Sequence, residues 1–276
     1  MLFQNFPVLI RGGGDLATGV AYQLHKAGFP LVVFELPRPL VVRRLVALAS
    51  AVFEGQIVVE DMKGVLVKSL EESVQLAAKG LVPVLVEPEL NIKLNEEGQR
   101  LFKILVDARM AKHNIDTRKE HASLVIALGP GYFAGEDCHV VIETKRGHGL
   151  GRALWQGMAR HDTGSPGLVG GRGAERVLRA PTEGPVAWNY DIGQRAAKGT
   201  VLGTIGSESI TAPFDGAVRG LIYPGIHVRT GQKIGDIDPR NDIEACTTIS
   251  DKALSIGGGV LGAVLEWLNR QQVEVG

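Results

Sequence analysis

The chain of 276 residues holds two cysteines, Cys138 and Cys246, far apart and in no CxxC pair. That scarcity excludes a disulfide framework and suits a reducing compartment. Net charge is also missing: thirty basic residues balance thirty acidic ones. Bulk electrostatics therefore supply no drive toward nucleic acid or a membrane surface. No apolar run reaches transmembrane length, and no charged leader precedes a long apolar stretch. A cytoplasmic protein is expected, touching neither nucleic acid nor membrane. There is no Gly-x-Ser-x-Gly elbow, and no P-loop lysine follows the N-terminal glycines. Acyl transfer and Walker-type ATP hydrolysis lack support. With 45% hydrophobic residues, the chain is long enough for a substantial core and more than one domain.

What is present begins at the amino terminus. The run Val8-Leu9-Ile10 meets Gly12-Gly13-Gly14, and a helical pattern follows through Leu16, Val20, Leu24 and Ala27. Strand, tight turn and helix are predicted in that order. Gly12, Gly14 and Ala17 match the G-x-G-x-x-G/A spacing of nucleotide-binding turns. Bare backbone there brings amides to an anion, and the helix start adds unpaired N–H groups and the positive end of its dipole. A second apolar strand, Leu31 to Phe34, ends in Glu35, placed to bind a ribose hydroxyl. The candidate cofactor site is Gly12, Gly13, Gly14, Asp15, Ala17, Thr18 and Glu35. The competing reading is a glycine-rich turn that binds nothing.

Further along, Pro39 starts a predicted helix to Ser50, with Arg38, Arg43 and Arg44 in reach of a phosphate or on a solvated face. Ile57–Val59 and Gly64–Val67 suggest a hairpin. Ser69 and Glu72 form a capping-box pattern before a helix to Lys79. Leu81–Val86 is a strand whose Pro83 argues for an edge or a strand start. A helix is expected over Asn95–Phe102. Strands follow before Asp107 and over Ser123–Leu128, the latter apolar enough to be buried on both faces. Cys138–Thr144 is a predicted strand with His139 and Glu143 on one face, and the glycine-rich stretch from Gly164 to Gly173 a mobile loop. The alternation predicts an α/β fold: a Rossmann-like domain with a mostly parallel sheet over residues 1–179.

From Ala180 the composition changes. Gly193, Gly199 and Gly203 recur at the same spacings as Gly225, Gly231 and Gly235. With Ala212-Pro213-Phe214-Asp215-Gly216 between them, the two hairpins resemble the barrel-sandwich hybrid of biotinyl and lipoyl carrier domains. The turn Gly206-Ser207-Glu208-Ser209 lacks the lysine such carriers modify, so a structural or interacting all-β module is expected over 180–240. Ser250 caps a C-terminal helix, expected to pack back on the first domain within 241–276. Gly257-Gly258-Gly259 inside it suggest close backbone packing or a ligand.

Asp107 and Arg109 end a strand on the glycine-loop edge. Arg109 would clamp a phosphate or carboxylate, or pair with Asp107 to fix a loop. Arg146 adds charge. Asp137, His139, Glu143 and His148 match no zinc spacing, so no metal is predicted. His148, and Cys246 near a helix start, are the candidates for catalysis.

The ordered set Arg11-Gly12-Gly13-Gly14-Asp15-Leu16-Ala17-Thr18-Gly19, Val106-Asp107-Ala108-Arg109, Leu128-Gly129-Pro130-Gly131, Glu143-Thr144-x-Arg146-Gly147-His148, Ala212-Pro213-Phe214-Asp215-Gly216 and Ile249-Ser250-Asp251-Lys252 resembles the YqeB-type accessory proteins of selenium-dependent molybdenum hydroxylase systems, themselves similar to XdhC-type proteins. The resemblance implies a maturation factor. It would bind a nucleotide or molybdopterin dinucleotide and serve a molybdenum hydroxylase client. An NAD(P)-dependent oxidoreductase is the rival reading, with Glu35 favouring NAD because a carboxylate repels a 2′-phosphate. A non-catalytic scaffold for a client hydroxylase is the third. A homo-oligomer is compatible with all three.

Overall fold

The computed structural model describes residues 1–90, 100–161, 164 and 167–273. Its frame is a nine-stranded sheet. The strands are β1 (Val8–Arg11), β2 (Leu31–Glu35), β3 (Gln56–Val59), β4 (Met62–Val67), β5 (Val82–Val86), β6 (Ile104–Asp107), β7 (Leu124–Leu128), β8 (Val140–Ile142) and β9 (Ala153–Leu154). They lie in the order β9-β8-β7-β6-β1-β2-β5-β4-β3. The block from β8 to β5 and on to β4 is parallel, and the outer strands β3 and β9 run antiparallel. The order β5-β2-β1-β6-β7-β8 is that of a Rossmann-like sheet, with its switch point between β1 and β6.

Alternation along the central strands sorts two cores. Val8 and Ile10, Leu31 and Val33, Ile104 and Val106 face one layer, whereas Leu9, Val32, Phe34 and Leu105 face the other. Helix α1 (Asp15–Ala27) covers the first face through Ala17, Val20, Ala21 and Leu24. The connections beyond β6 hold no α-helix among the described residues, so a distant segment completes this layer. It is the C-terminal helix Asp251–Val273, which buries Ile256, Val260, Ala263 and Val264 in the same core. The two helices cross at glycine: a Cβ at Gly257 would lie 2.3 Å from the Gly19 carbonyl oxygen. Helix α2 (Leu70–Ala78) covers the other face. Ser69 caps it by accepting from the Glu72 amide, while Glu72 reaches back to the Lys68 amide.

One expectation fails for an identifiable reason, and another resolves to one of its two alternatives, the strand start. The helix from Pro39 to Ser50 does not form. The segment instead docks beside the strand Gly216–Leu221, with Arg43 bridging Leu221 and the Val42 carbonyl against Gly220. Short 3₁₀ turns follow over Arg44–Val46 and Leu48–Ser50. Tertiary docking overrides local periodicity here. Pro83 lies in an interior strand, not an edge. It is the second residue of β5, and pairing with β2 starts one residue later at Val84. The missing amide is tolerated because it falls at the strand start. The helix expected over Asn95–Phe102 falls mostly on positions 95–99, outside the described residues. Positions 165 and 166 of the glycine-rich stretch also lie outside them, while Val169 and Arg172 pair across a tight turn.

Beyond residue 176 lie two antiparallel four-stranded sheets. One runs Val177–Arg179, Lys233–Asp238, Gly216–Leu221 and Arg195–Ala196; the other runs Glu208–Thr211, Val201–Ile205, Gly184–Trp188 and His227–Val228. They enclose a core of their own around Leu202, Ile205, Val218, Leu221, Val228 and Ile234. No described helix is long and apolar enough to cross a membrane.

Candidate functional site

The crevice beyond the carboxyl ends of β1, β2 and β6 opens into a cavity of about 700 Å³. Of the first predicted set, Gly12, Gly14, Asp15, Ala17 and Glu35 line it and Gly13 and Thr18 do not; Arg109 lines it too. The three glycines differ in role. Gly12 holds φ +90°, and a Cβ there would sit 3.1 Å from the Arg109 backbone. Gly13 packs against Ala49, where a Cβ would lie 2.7 Å from the Ala49 nitrogen. Gly14 is the N-cap of α1 at φ −66°, ψ 179°, a conformation open to any residue. A Cβ on it would meet only Val41, at 4.0 Å. Neither packing nor backbone strain requires glycine at position 14; what it leaves open is the cavity over the helix start. The first-turn amides, which have no partner within the helix, gain none from a capping side chain, and Gly14, Asp15, Leu16 and Ala17 line the crevice.

Glu35 points into the loop. Its carboxylate accepts from the Gly13 amide at 2.6 Å and from the Leu36 amide at 2.7 Å. Burial raises its pKa, and the two amides oppose that rise. Each oxygen retains acceptor capacity toward the cavity. Thr18 is turned away: its hydroxyl donates to the Gly14 carbonyl and accepts from the Leu48 amide. It fixes the loop and has no access to the crevice. Asp15 contacts Arg43 Nη1 at 3.3 Å.

Asp107 and Arg109 form the internal pair. Buried Asp107 accepts from Arg109 Nε (3.0 Å), Thr117 Oγ1 (2.6 Å) and Tyr132 Oη (2.8 Å). Although burial opposes it, these donors hold the Asp107 carboxyl below the usual range. Arg109 also donates to Asp116, which accepts a two-pronged contact from buried Arg11 at 2.6 and 2.9 Å. Arg11 and then Arg109 push the Asp116 pKa well below the ordinary carboxylate value. This network fixes the 107–117 loop as one wall of the cavity.

A second cavity of about 540 Å³ adjoins the first, and Asp15, Leu16, Arg43, Met110 and Lys233 line both. Arg146 lines it too, held by Asp251 at 2.7 and 2.9 Å. Arg43 is 8% exposed and donates to the carbonyls of Ala245 and Thr248, each at 3.0 Å. Its Nε has no hydrogen-bond partner among the described residues.

The remaining candidates are not brought together. His148 is exposed and lines neither cavity. Cys246 is buried in the short helix Glu244–Thr247, and burial pushes its thiol pKa up, away from reactivity. His139 and Glu143 do not share a strand face, because β8 spans only Val140–Ile142. Instead, His139 Nδ1 accepts from the Val125 amide, and Glu143 clamps the amides of Lys145 and Arg160. Among the described residues, no group of three His, Cys, Asp or Glu side chains could hold a metal ion.

Lys233, which lines both cavities, belongs to none of the sequence motifs above. A signal for it exists in the repeat. Gly199-Thr200-Val201-Leu202-Gly203 aligns with Gly231-Gln232-Lys233-Ile234-Gly235, so the second copy carries a lysine where the first has Val201.

No family model matches the chain. It is similar to two solved structures at low score. One is an aspartoacylase family protein from Mesorhizobium loti, 13% identical, covering 84% of this chain and 85% of that one at TM-score 0.26. The other is a succinylglutamate desuccinylase/aspartoacylase from Rhodobacter sphaeroides, 20% identical over 24% of this chain and 22% of that one, at TM-score 0.21. Such scores carry no argument. A curated relative, "Uncharacterized protein YqeB" of Escherichia coli (strain K12), is 46% identical over 258 residues, 94% of this chain. The chain spans about half the length of that relative, 47%. At this identity over nearly all of its own length, the chain belongs to the YqeB-type proteins.

Proposed function

We propose that the chain binds a nucleotide-type cofactor, a molybdopterin dinucleotide in the reading favoured here, and acts in maturing a selenium-dependent molybdenum hydroxylase. The observation that carries the nucleotide part is Gly14. A helix start without a side-chain cap faces a 700 Å³ cavity, and a glycine that packing does not demand keeps it open. The amides after Gly14 would hold a phosphate. Glu35, anchored to the same loop, would take a ribose hydroxyl. Leu36, Leu40 and Ile115 give the cavity an exposed apolar rim against which a planar ring would lie. A bound molybdopterin dinucleotide would supply the metal-carrying pterin that a client takes up. The all-β part, read as a barrel-sandwich-hybrid-like module, would lend Lys233 to the cleft and its outer surface to the client.

The test is a thermal-shift series with molybdopterin cytosine dinucleotide, CDP, NAD(P) and S-adenosylmethionine, on the wild-type chain and on Gly14→Val. The wild type is expected to shift with a cytidine ligand. Gly14→Val is expected to melt at the wild-type temperature without ligand and to lose the shift. A shift with NAD(H) alone would favour the oxidoreductase reading. No shift with any of them rejects nucleotide binding.

A further inference from the structure

The second cavity carries far more positive than negative charge. Its walls include Arg43, Arg160, Arg176, Arg219 and Lys233, facing Asp15 and Asp236. The acids do not balance them. Asp236 pairs with Arg176 and is also shared with Arg219, 3.7 Å away. Arg219 lies equally far from Asp238, which Arg240 already holds. The side chains of Arg160 and Lys233 make no ion pair among the described residues. Arg43 lines both cavities, and its buried Nε has no hydrogen-bond partner among the described residues.

The crowding shows in the titrating groups. Burial, and then the Arg43 charge, lower the Arg219 pKa. Lys233 opens to the cleft, yet desolvation of its amine lowers its pKa as well; Asp236 and Asp15 oppose that fall, while Arg176 and Arg219 add to it. A concave wall on which cations outnumber acids focuses positive potential on its mouth.

We propose that this basic cavity is a subsite for a second anionic group, a phosphate or pyrophosphate, with Arg43 and Lys233 where it meets the glycine loop. The ligand class is then an extended molecule with two anionic centres, one on the Gly14 helix start and one among the arginines. The inference rests on the nucleotide reading for the first centre only.

Titration calorimetry with sodium pyrophosphate and, separately, with CDP tests it on the full chain. Three proteins are compared: wild type, Gly14→Val, and the double variant Lys233→Gln/Arg160→Gln. Pyrophosphate is expected to bind wild type and Gly14→Val alike, and the double variant about tenfold more weakly or worse, as befits loss of charge-assisted contacts. Removing like charges should leave the double variant's melting temperature equal or higher, which separates lost binding from lost folding. No pyrophosphate binding to wild type, or binding to the double variant within about twofold, overturns the subsite. If pyrophosphate follows the expected pattern while CDP binds none of the proteins, the subsite stands and the nucleotide reading falls.

Discussion

Two glycine triplets, 12–14 and 257–259, look alike in sequence and meet different surroundings. In the C-terminal helix, Gly257 faces the Gly19 carbonyl oxygen and Gly259 the Gly151 carbonyl oxygen, with room for no further atom. Gly258, between them, is exposed and has nothing within 4 Å of its missing Cβ. In the N-terminal loop, Gly12 and Gly13 are likewise pressed against backbone, and Gly14 is the open member. Each triplet thus has two glycines that packing explains and one that it does not. The unexplained one in the helix looks onto bare surface, whereas the one in the loop looks into a cavity. Position decides whether a missing side chain makes room for a ligand.

The largest effect is expected at Gly257. A Cβ there would lie 2.3 Å from a backbone oxygen, and backbone cannot rotate out of the way as a side-chain tip can. Gly257→Val should force the helix off α1 and loosen Ile256, Val260 and Val264, at a cost of about 3 kcal/mol or more. Urea unfolding followed by circular dichroism checks this. A midpoint equal to that of the wild type would sink the contrast between the triplets.

Much of the sheet was legible because its strands are short continuous apolar runs, such as Leu31–Phe34 and Leu124–Leu128, of the kind that two covered faces demand. The glycine loop and Glu35 were legible because a βα turn is a local structure. The segment after Pro39 was not, because its conformation is imposed by a strand of the all-β part far along the chain. The basic cavity was hidden for the same reason: Arg43, Arg146 and Lys233 are neighbours only once both parts are folded. Even so, the repeat offered a clue in its own departures. Val201 gives way to Lys233, and Thr204 to Asp236, at the two positions that face the cleft in the second copy. His148 and Cys246 were singled out on residue type, which says nothing about exposure or neighbours.

An intermediate effect concerns the wall beside the glycine loop. Asp116 has its pKa depressed in the folded chain, by Arg11 and then by Arg109. A depressed carboxylate pKa stabilises the fold above the unfolded-state value of about 4, and the stabilisation fades as pH falls below it. Asp116→Asn should therefore lower the urea midpoint at pH 7, and that disadvantage should begin to shrink below about pH 4 yet persist in good part at pH 3, because the folded-state pKa lies well below that pH. A difference independent of pH would show that Asp116 acts through shape alone, and the wall would not be an electrostatic one.

The smallest effect sharpens the comparison most closely, because it lies inside one triplet. Gly258 sits in mid-helix, exposed, with open space where its Cβ would go. Alanine there should gain the helix propensity that glycine forgoes, about 0.5–1 kcal/mol, partly by restricting the unfolded chain. Gly258→Ala is expected to raise the melting temperature by a few degrees, while its neighbour Gly257→Val lowers it sharply. Were Gly258→Ala also destabilising, something would have to cover that face of the helix, and the glycine would mark a contact surface instead of a bare one.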